Sequence, residues 1–194
     1  SVSITKPDGS EVWLTGTSQV IKWLPVGTYP GTNNLKIEYS TDGGTSWVST
    51  AVATVTAGAH GVEQSYTWQI PDNIGTNVKV KVSTQVNSTI DVSAESPAFK
   101  IRGDLVLSTP DGGQIWYVGE TDKSIEWAAT GTVTPVKIEY TLNDGGSWTS
   151  ISDTVVGVAG ANQYLWSPIP NFKSDLCRIR VSDARSGLGI GCTE

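Results

Sequence analysis

Short stretches of alternating apolar and polar residues run through the whole chain and predict β-strands. The clearest covers residues 78–82, where three valines alternate with Lys79 and Lys81. Neighbouring side chains of a strand point to opposite faces, so the valines are expected to face a core and the lysines the solvent. Clusters of Gly, Pro, Asp and Asn between such stretches indicate turns. Since no stretch shows the period of an amphipathic helix, the pattern predicts an all-β protein with short strands.

One hairpin motif occurs twice. Residues 36–47 have the sequence KIEYSTDGGTSW, and residues 137–148 have the sequence KIEYTLNDGGSW. Each copy consists of an alternating strand, a turn rich in Asp, Asn and Gly, and a Trp that is expected to begin the returning strand. This repetition indicates a duplicated domain.

The tryptophans support the duplication, because all eight fall into four pairs with similar separations. The pairs are Trp13 with Trp116, Trp23 with Trp127, Trp47 with Trp148, and Trp68 with Trp166. We therefore predict two copies of one domain, at residues 1–103 and 104–194. Seven or eight short strands in each copy predict two tandem antiparallel β-sandwiches of the immunoglobulin or fibronectin type III class, with a Trp and a Tyr packed between the sheets.

The order Pro-x-Gly, then Ile-x-Trp, then Val-x-Ile-x-Tyr resembles the immunoglobulin-like domain of the yeast cell-wall glucan-assembly and Ser/Thr-rich anchored protein family. It is also similar to tandem modules of large prokaryotic surface proteins. The resemblance implies a sandwich fold and an extracellular location, and it implies no particular activity.

The two hairpin turns also resemble the Asp-box of sialidases, Ser/Thr-x-Asp/Asn-x-Gly-x-x-Trp. The matching positions are Ser40, Asp42, Gly44 and Trp47 in the first copy and Thr141, Asn143, Gly145 and Trp148 in the second. The resemblance implies a folding device rather than an active site: the Asp or Asn side chain binds backbone N–H groups of the turn, and the Trp packs over the hairpin. Placing Trp148 in a core predicts that its replacement by Ala costs about 3–5 kcal/mol.

Charge excludes some classes of partner. Thirteen basic and nineteen acidic residues give a net charge of −6, which argues against nucleic acid and anionic membranes as partners. Most of the excess lies in the second copy, which has eleven acidic and six basic residues. The chain begins with Ser, so we expect either that a signal peptide was removed or that the sequence is a segment of something longer.

Two covalent modifications are predicted. Cys177 aligns with Val78 and Cys192 with Ile101, which places both cysteines at inward positions of the last two strands and favours a disulfide; two buried thiols are the alternative. Asn87 begins the glycosylation sequon Asn-Ser-Thr in a polar loop, with an unmodified loop as the alternative.

The sequence offers little for catalysis. His60 is the single histidine, and the four arginines include none that form the cluster a sialidase would need. We find no nucleophile with an adjacent base and no spacing typical of a metal or phosphate site. We therefore expect neither enzymatic activity nor a cofactor.

Two functions remain. The leading hypothesis is an extracellular or cell-surface structural unit of a fibre, filament or stalk that joins copies of itself end to end, as a covalent array or as a polymer. The alternative is a carbohydrate-binding accessory module of a secreted enzyme or adhesin. That alternative requires exposed aromatic side chains, and the candidates are Trp13, Trp116 and Tyr117.

Overall fold

The computed structural model describes residues 1–27, 34–48, 52–84 and 92–185. The chain divides into two compact units, unit 1 at Ser1–Ile101 and unit 2 at Arg102–Glu194. The division falls two residues before the predicted boundary.

Unit 1 is a sandwich of two sheets. One sheet has the strand order β1-β3-β6, and the other has the order β2-β9-β7-β4-β5, with β8 paired to β7. Its strands are β1 (Val2–Lys6), β2 (Val12–Leu14), β3 (Ser18–Pro25), β4 (Asn34–Ser40), β5 (Ala53–Thr56), β6 (Gln64–Gln69), β7 (Gly75–Thr84), β8 (Ser93–Glu95) and β9 (Phe99–Arg102).

Unit 2 repeats the central part of this arrangement. Its two sheets have the strand orders β10-β11-β14 and β13-β12-β15. The described residues contain no helix, which confirms the all-β immunoglobulin-like fold class. The strands are β10 (Asp104–Thr109), β11 (Lys123–Thr130), β12 (Val136–Thr141), β13 (Thr149–Val155), β14 (Gly160–Trp166) and β15 (Arg178–Asp183).

The same register holds the central strands of both units together. Antiparallel pairing places Ile37 of β4 opposite Val82 of β7, and it places Ile138 of β12 opposite Val181 of β15. All four side chains are fully buried, because the alternating pattern directs them towards the facing sheet. The predicted inward positions of Val78, Val80 and Val82 are confirmed.

A tryptophan from the facing sheet fills the centre of each core. Trp23 of β3 and Trp127 of β11 are both buried, as expected for the sandwich class. The indole N–H of Trp23 donates to the carbonyl oxygen of Ala57 at 3.2 Å. Each tryptophan therefore occupies the equivalent position of its unit.

A second aromatic cluster lies at one edge of each core. Two contacts repeat at equivalent positions: two tryptophans lie edge to face at 6.1 Å in both units, and a tyrosine lies 5.2 Å from the second tryptophan in both. The phenylalanine of the cluster differs. In unit 1, Trp13 packs against Phe99 with ring centroids 4.6 Å apart. In unit 2, Phe172 stacks on Tyr140 at 4.9 Å instead. Phe99 lies in a strand, whereas Phe172 lies in the connection between β14 and β15. The two clusters thus share three aromatic positions and differ only in where the phenylalanine comes from.

Residues 115–118 form no strand, although their sequence, Ile-Trp-Tyr-Val, follows the same Pro-Asp-Gly turn as residues 12–14 and predicts one. Their counterpart in unit 1, β2, pairs with β9, and the N–H of Lys100 donates to the carbonyl oxygen of Glu11 at 3.0 Å. No strand in the described part of unit 2 pairs with residues 115–118. Extended backbone is recognised as a strand only where a neighbour completes its hydrogen bonds.

Candidate functional site

The turn of the first hairpin is held by side chains that bond to its own backbone. The hydroxyl of Ser40 donates to Asp42 Oδ1 at 2.7 Å and accepts the N–H of Gly44 at 2.8 Å. The N–H of Ser46 donates to Asp42 Oδ1 at 2.9 Å. Hydrogen bonds from Ser46, and then from Ser40, lower the pKa of Asp42 from 3.8 to about 2. The carboxylate form of Asp42 therefore organises this turn.

The second turn makes the same bonds with uncharged groups. The hydroxyl of Thr141 donates to Asn143 Oδ1 at 2.8 Å and accepts the N–H of Gly145 at 3.1 Å. The N–H of Ser147 donates to Asn143 Oδ1 at 2.9 Å. The amide oxygen of Asn143 thus takes the place of the Asp42 carboxylate, so this hairpin has no titrating group at that position.

The two turns differ at one backbone position. Gly43 adopts a φ of 76°, and Asp144 occupies the corresponding position with a φ of 56°. A non-glycine residue in the left-handed region is uncommon, although Asp tolerates it better than most. Asp144 also forms an ion pair with Arg178 at 2.5 Å. The shift from Asp-Gly to Asn-Asp is therefore accommodated within an unchanged turn.

The tryptophans after the turns are not core residues, which corrects the expectation for Trp148. Trp47 and Trp148 are half-buried and lie on the outer face of their sheets, because the hairpin places each of them over an outward-facing cation. Lys81 Nζ lies 4.2 Å from the ring centroid of Trp47, and Arg180 Cζ lies 4.1 Å from that of Trp148. The expectation that each Trp begins a strand is also wrong: Trp148 immediately precedes β13, and Trp47 lies before β5.

Beneath Trp47 is a buried carboxylate. Glu38 is 7 % exposed and forms ion pairs with Lys36 at 2.6 Å and Lys81 at 3.3 Å. Burial raises the pKa of Glu38, but the hydrogen bond from Lys36 and the charge of Lys81 outweigh it, and the pKa falls below its ordinary value of 4.5. Strand alternation places Lys81 on the outer face of the sheet, but nothing local in the sequence shows the burial of Glu38 or the contact of Lys81 with Trp47.

Unit 2 contains the same cluster with a guanidinium in place of the second ammonium. Glu139 is buried and pairs with Lys137 at 2.6 Å and with Arg180 Nη2 at 2.7 Å. Arg180 Nε donates to the same carboxylate at 2.8 Å. As in unit 1, burial raises the pKa of Glu139, while Lys137 and Arg180 lower it to a net value below 4.5. We call these two clusters the outer-face clamps, Lys36-Glu38-Lys81-Trp47 and Lys137-Glu139-Arg180-Trp148.

The clamps are suited to holding strands together. Each one joins the two central strands of its sheet, β4 with β7 and β12 with β15, and covers the ion pair with an aromatic ring. The neighbouring outward-facing cations form separate pairs: Lys79 pairs with Glu95 at 3.4 Å, and Arg178 pairs with Asp144. In the described ranges no group of three His, Cys, Asp or Glu side chains could hold a metal ion. Nor does any helix there have the length and apolar character needed to cross a membrane.

The three candidate glycan-contact aromatics differ in exposure. Trp13 is 4 % exposed, because it lies between Trp68 and Phe99; its assignment as a contact residue is wrong. Trp116 is half-buried and packs edge-on against Trp166 at 6.1 Å. Tyr117 is 66 % exposed. Of the three, Tyr117 alone presents most of its ring to solvent.

The predicted modification sites are only partly described. Cys177 is exposed, so its predicted inward position is wrong; β15 begins one residue later, whereas the aligned Val78 lies within β7. The part of the Cys177 side chain that is buried raises the pKa of its thiol. Cys192 and Asn87 lie outside the described residues. The disulfide and the glycosylation stay predictions.

Comparisons with known proteins add little to this picture. No protein-family model matches the chain, and no curated protein matches it. A solved structure with some similarity is that of the fibronectin(III)-like modules of Clostridium thermocellum CbhA, at 16% sequence identity and a TM-score of 0.30, covering 93% of this chain and 84% of that one. The proposed resemblances to the yeast cell-wall family and to the Asp-box gain no support from these comparisons. The assignment as a tandem β-sandwich module rests on the sheets themselves.

Proposed function

We propose that this protein is a structural unit of an extracellular surface fibre, filament or stalk, in which tandem β-sandwiches follow one another end to end. The observation that carries the proposal is the duplication of the outer-face clamps. Both copies keep a buried glutamate, two cations and a covering Trp on the outside of the sheet, in addition to a Trp in the core. These groups strengthen strand pairing, which is the property that a load-bearing module requires.

The connection between the units supports the same proposal. β9 ends at Arg102 and β10 begins at Asp104, so a single residue, Gly103, separates a strand of one copy from a strand of the next. A connection of one residue contains few rotatable bonds compared with an ordinary flexible linker. Copies of the chain joined in the same manner are the partners that we propose.

Native material tests the proposal directly. After denaturation and reduction, a chain with a mass of many multiples of 20.6 kDa indicates a covalent array, and a single 20.6 kDa chain that forms filaments in negative-stain images indicates a polymer. A 20.6 kDa chain without filaments contradicts the proposal. Small-angle scattering of the purified chain, compared with a variant carrying a Gly-Ser insertion after Gly103, tests whether the short connection restricts the units.

Carbohydrate binding is the second candidate, and the exposure of Tyr117 is the observation that favours it. Ile115, two residues earlier in the chain, is 74 % exposed. A ring and an apolar side chain presented together are suited to the face of a sugar. The decisive experiment is a glycan array with the wild-type chain and with Tyr117→Leu. Leucine is chosen because unit 1 has Leu14 at the equivalent position. Binding that Tyr117→Leu abolishes would support this function, and no binding by the wild type would exclude it for the glycans on the array.

A further inference from the structure

Trp127 contains a buried hydrogen-bond donor that no described residue accepts. Its side chain is 2 % exposed, and its indole Nε1 has no hydrogen-bond partner within the part of the chain that the structure describes. Buried N–H groups are nearly always paired with a protein acceptor or with an ordered water, because leaving one without a partner is costly. The indole of Trp127 therefore requires an acceptor.

Unit 1 shows how the equivalent donor is satisfied. The indole N–H of Trp23 donates to the carbonyl oxygen of Ala57 at 3.2 Å. Ala57 comes two residues after Val55, which faces Leu35 across β4 and β5. A direct protein acceptor thus lies beside the core Trp in this copy.

The register of the strands identifies the corresponding residue of unit 2. Val155 faces Val136 across β12 and β13, as Val55 faces Leu35 in unit 1. Gly157, two residues after Val155, is therefore the counterpart of Ala57. Its carbonyl group is the one that would be expected to accept from Trp127.

Gly157 is packed against a different neighbour. A Cβ at this position would collide with the carbonyl oxygen of Val133, and the N–H of Gly157 lies 3.4 Å from the hydroxyl oxygen of Thr134. The backbone of Gly157 is thus held against the loop that precedes β12. In this arrangement its carbonyl does not receive the indole N–H of Trp127 directly.

We propose that unit 2 has a binding site for one buried water molecule, which accepts the indole N–H of Trp127 and donates to the carbonyl oxygen of Gly157. Water both accepts and donates, so it can bridge two groups that unit 1 joins directly. Buried waters typically serve polar groups that the fold leaves unpaired. The site is independent of the proposed structural function.

The measurement is made on the uniformly ¹⁵N-labelled wild-type chain, so that no substitution disturbs the site. Substituted chains are needed only to assign the signals. The indole N–H signals are assigned with Trp23→Phe and Trp127→Phe. In rotating-frame cross-relaxation spectra, the indole proton of Trp127 is expected to show a peak to water of opposite sign to the diagonal, which distinguishes proximity from proton exchange. The indole proton of Trp23 is the internal control and is expected to show none. Loss of the expected peak for Trp127 would overturn the proposal.

A high-resolution crystal structure tests the second partner. The expected result is an ordered water within hydrogen-bonding distance of both Trp127 Nε1 and the Gly157 carbonyl oxygen. A direct bond from Nε1 to any protein acceptor would overturn the proposal, and so would a water that contacts Nε1 but not Gly157.

Discussion

The guanidinium carbon of Arg180 lies 4.1 Å from the ring centroid of Trp148, while Nη2 of the same side chain lies 2.7 Å from the Glu139 carboxylate. The guanidinium of Arg180 therefore makes a cation–π contact with the ring of Trp148 and an ion pair with the buried carboxylate of Glu139. Lys81 has the same two neighbours in unit 1, Trp47 and Glu38. Because the carboxylate of Glu139 is buried, the ion pair is less screened than one on an open surface.

The role of Trp148 as a cover predicts a moderate effect of its removal. For Trp148→Ala we expect the free energy of unfolding to fall by about 1–2 kcal/mol, from partial burial and the lost cation contact. A tryptophan in the core would cost about 3–5 kcal/mol. Urea unfolding followed by circular dichroism measures the difference, with Trp127→Ala as the core comparison. If both variants lowered the free energy of unfolding equally, Trp148 would have to be treated as a core residue.

The buried glutamates predict a loss of stability in acid. Because the pKa of Glu139 is lower in the folded protein than its ordinary value of 4.5, its contribution is fully present above that value and is lost as the pH falls through the lowered one. Glu139→Gln is therefore expected to destabilise the protein at pH 7, with a smaller difference from wild type at pH 3. The comparison is made by urea unfolding at the two pH values.

The matched control for that experiment is Glu95→Gln. Glu95 pairs with Lys79 at 3.4 Å and is exposed, and exposed pairs contribute at most about 1 kcal/mol. A Glu139→Gln effect as small as that of Glu95→Gln at pH 7 would contradict the role assigned to the clamp.

The two turns predict a second, separate acid effect. The pKa of Asp42 is about 2 in the folded protein, below the ordinary 3.8, so the stability due to its carboxylate is present above 3.8 and is lost as the pH falls towards 2. Asn143 makes the equivalent bonds without titrating. Asp42→Asn is therefore expected to remove this part of the pH dependence and to retain the turn.

Thermal unfolding between pH 4 and pH 2 measures this effect. The reverse change, Asn143→Asp, is the control and is expected to add acid sensitivity to unit 2. If Asp42→Asn leaves the slope of melting temperature against pH unchanged over this range, the assignment of that slope to Asp42 is wrong.

The sequence alone predicts which strand residues face the core, but it does not predict how the residues at the ends and outer faces of the sheets pack. The inward positions of Val78, Val80 and Val82 are predicted correctly, because strand alternation depends on the local backbone alone. The paired tryptophans indicated the duplication for a similar reason, since equivalent positions in two copies tend to keep the same residue. Neither inference requires knowledge of a distant neighbour.

Positions that depend on a distant neighbour were assigned incorrectly. Trp148 was placed in the core because nothing local shows that Arg180, thirty-two residues later, lies beneath its ring. Cys177 was placed inward by its alignment with Val78, although β15 begins only after it. Phe172 stands where unit 1 has Asn73, whose side-chain oxygen accepts the hydroxyl of Tyr39 at 2.9 Å, so the repeat gives no sign of the stacking of Phe172 on Tyr140. A repeat identifies equivalent positions, but it does not show whether each copy packs them alike.

The packing of Gly157 predicts that a single methyl group will be poorly tolerated there. The added Cβ of Gly157→Ala would collide with the carbonyl oxygen of Val133 and lie 2.9 Å from Val136 Cγ2. The first of these is backbone, which cannot move aside as a side chain can, so we expect a loss of about 2–3 kcal/mol in the free energy of unfolding.

The reverse change in unit 1, Ala57→Gly, is the matched control. It removes one buried methyl group and adds backbone freedom to the unfolded chain, for an expected loss of about 1 kcal/mol. Urea unfolding of both variants therefore distinguishes a position that requires glycine from one that merely tolerates it. If Gly157→Ala lowers the free energy of unfolding no more than Ala57→Gly does, the loop before β12 can move to admit the methyl group. The packing of Gly157 against that loop would then not explain why its carbonyl does not accept the indole N–H of Trp127.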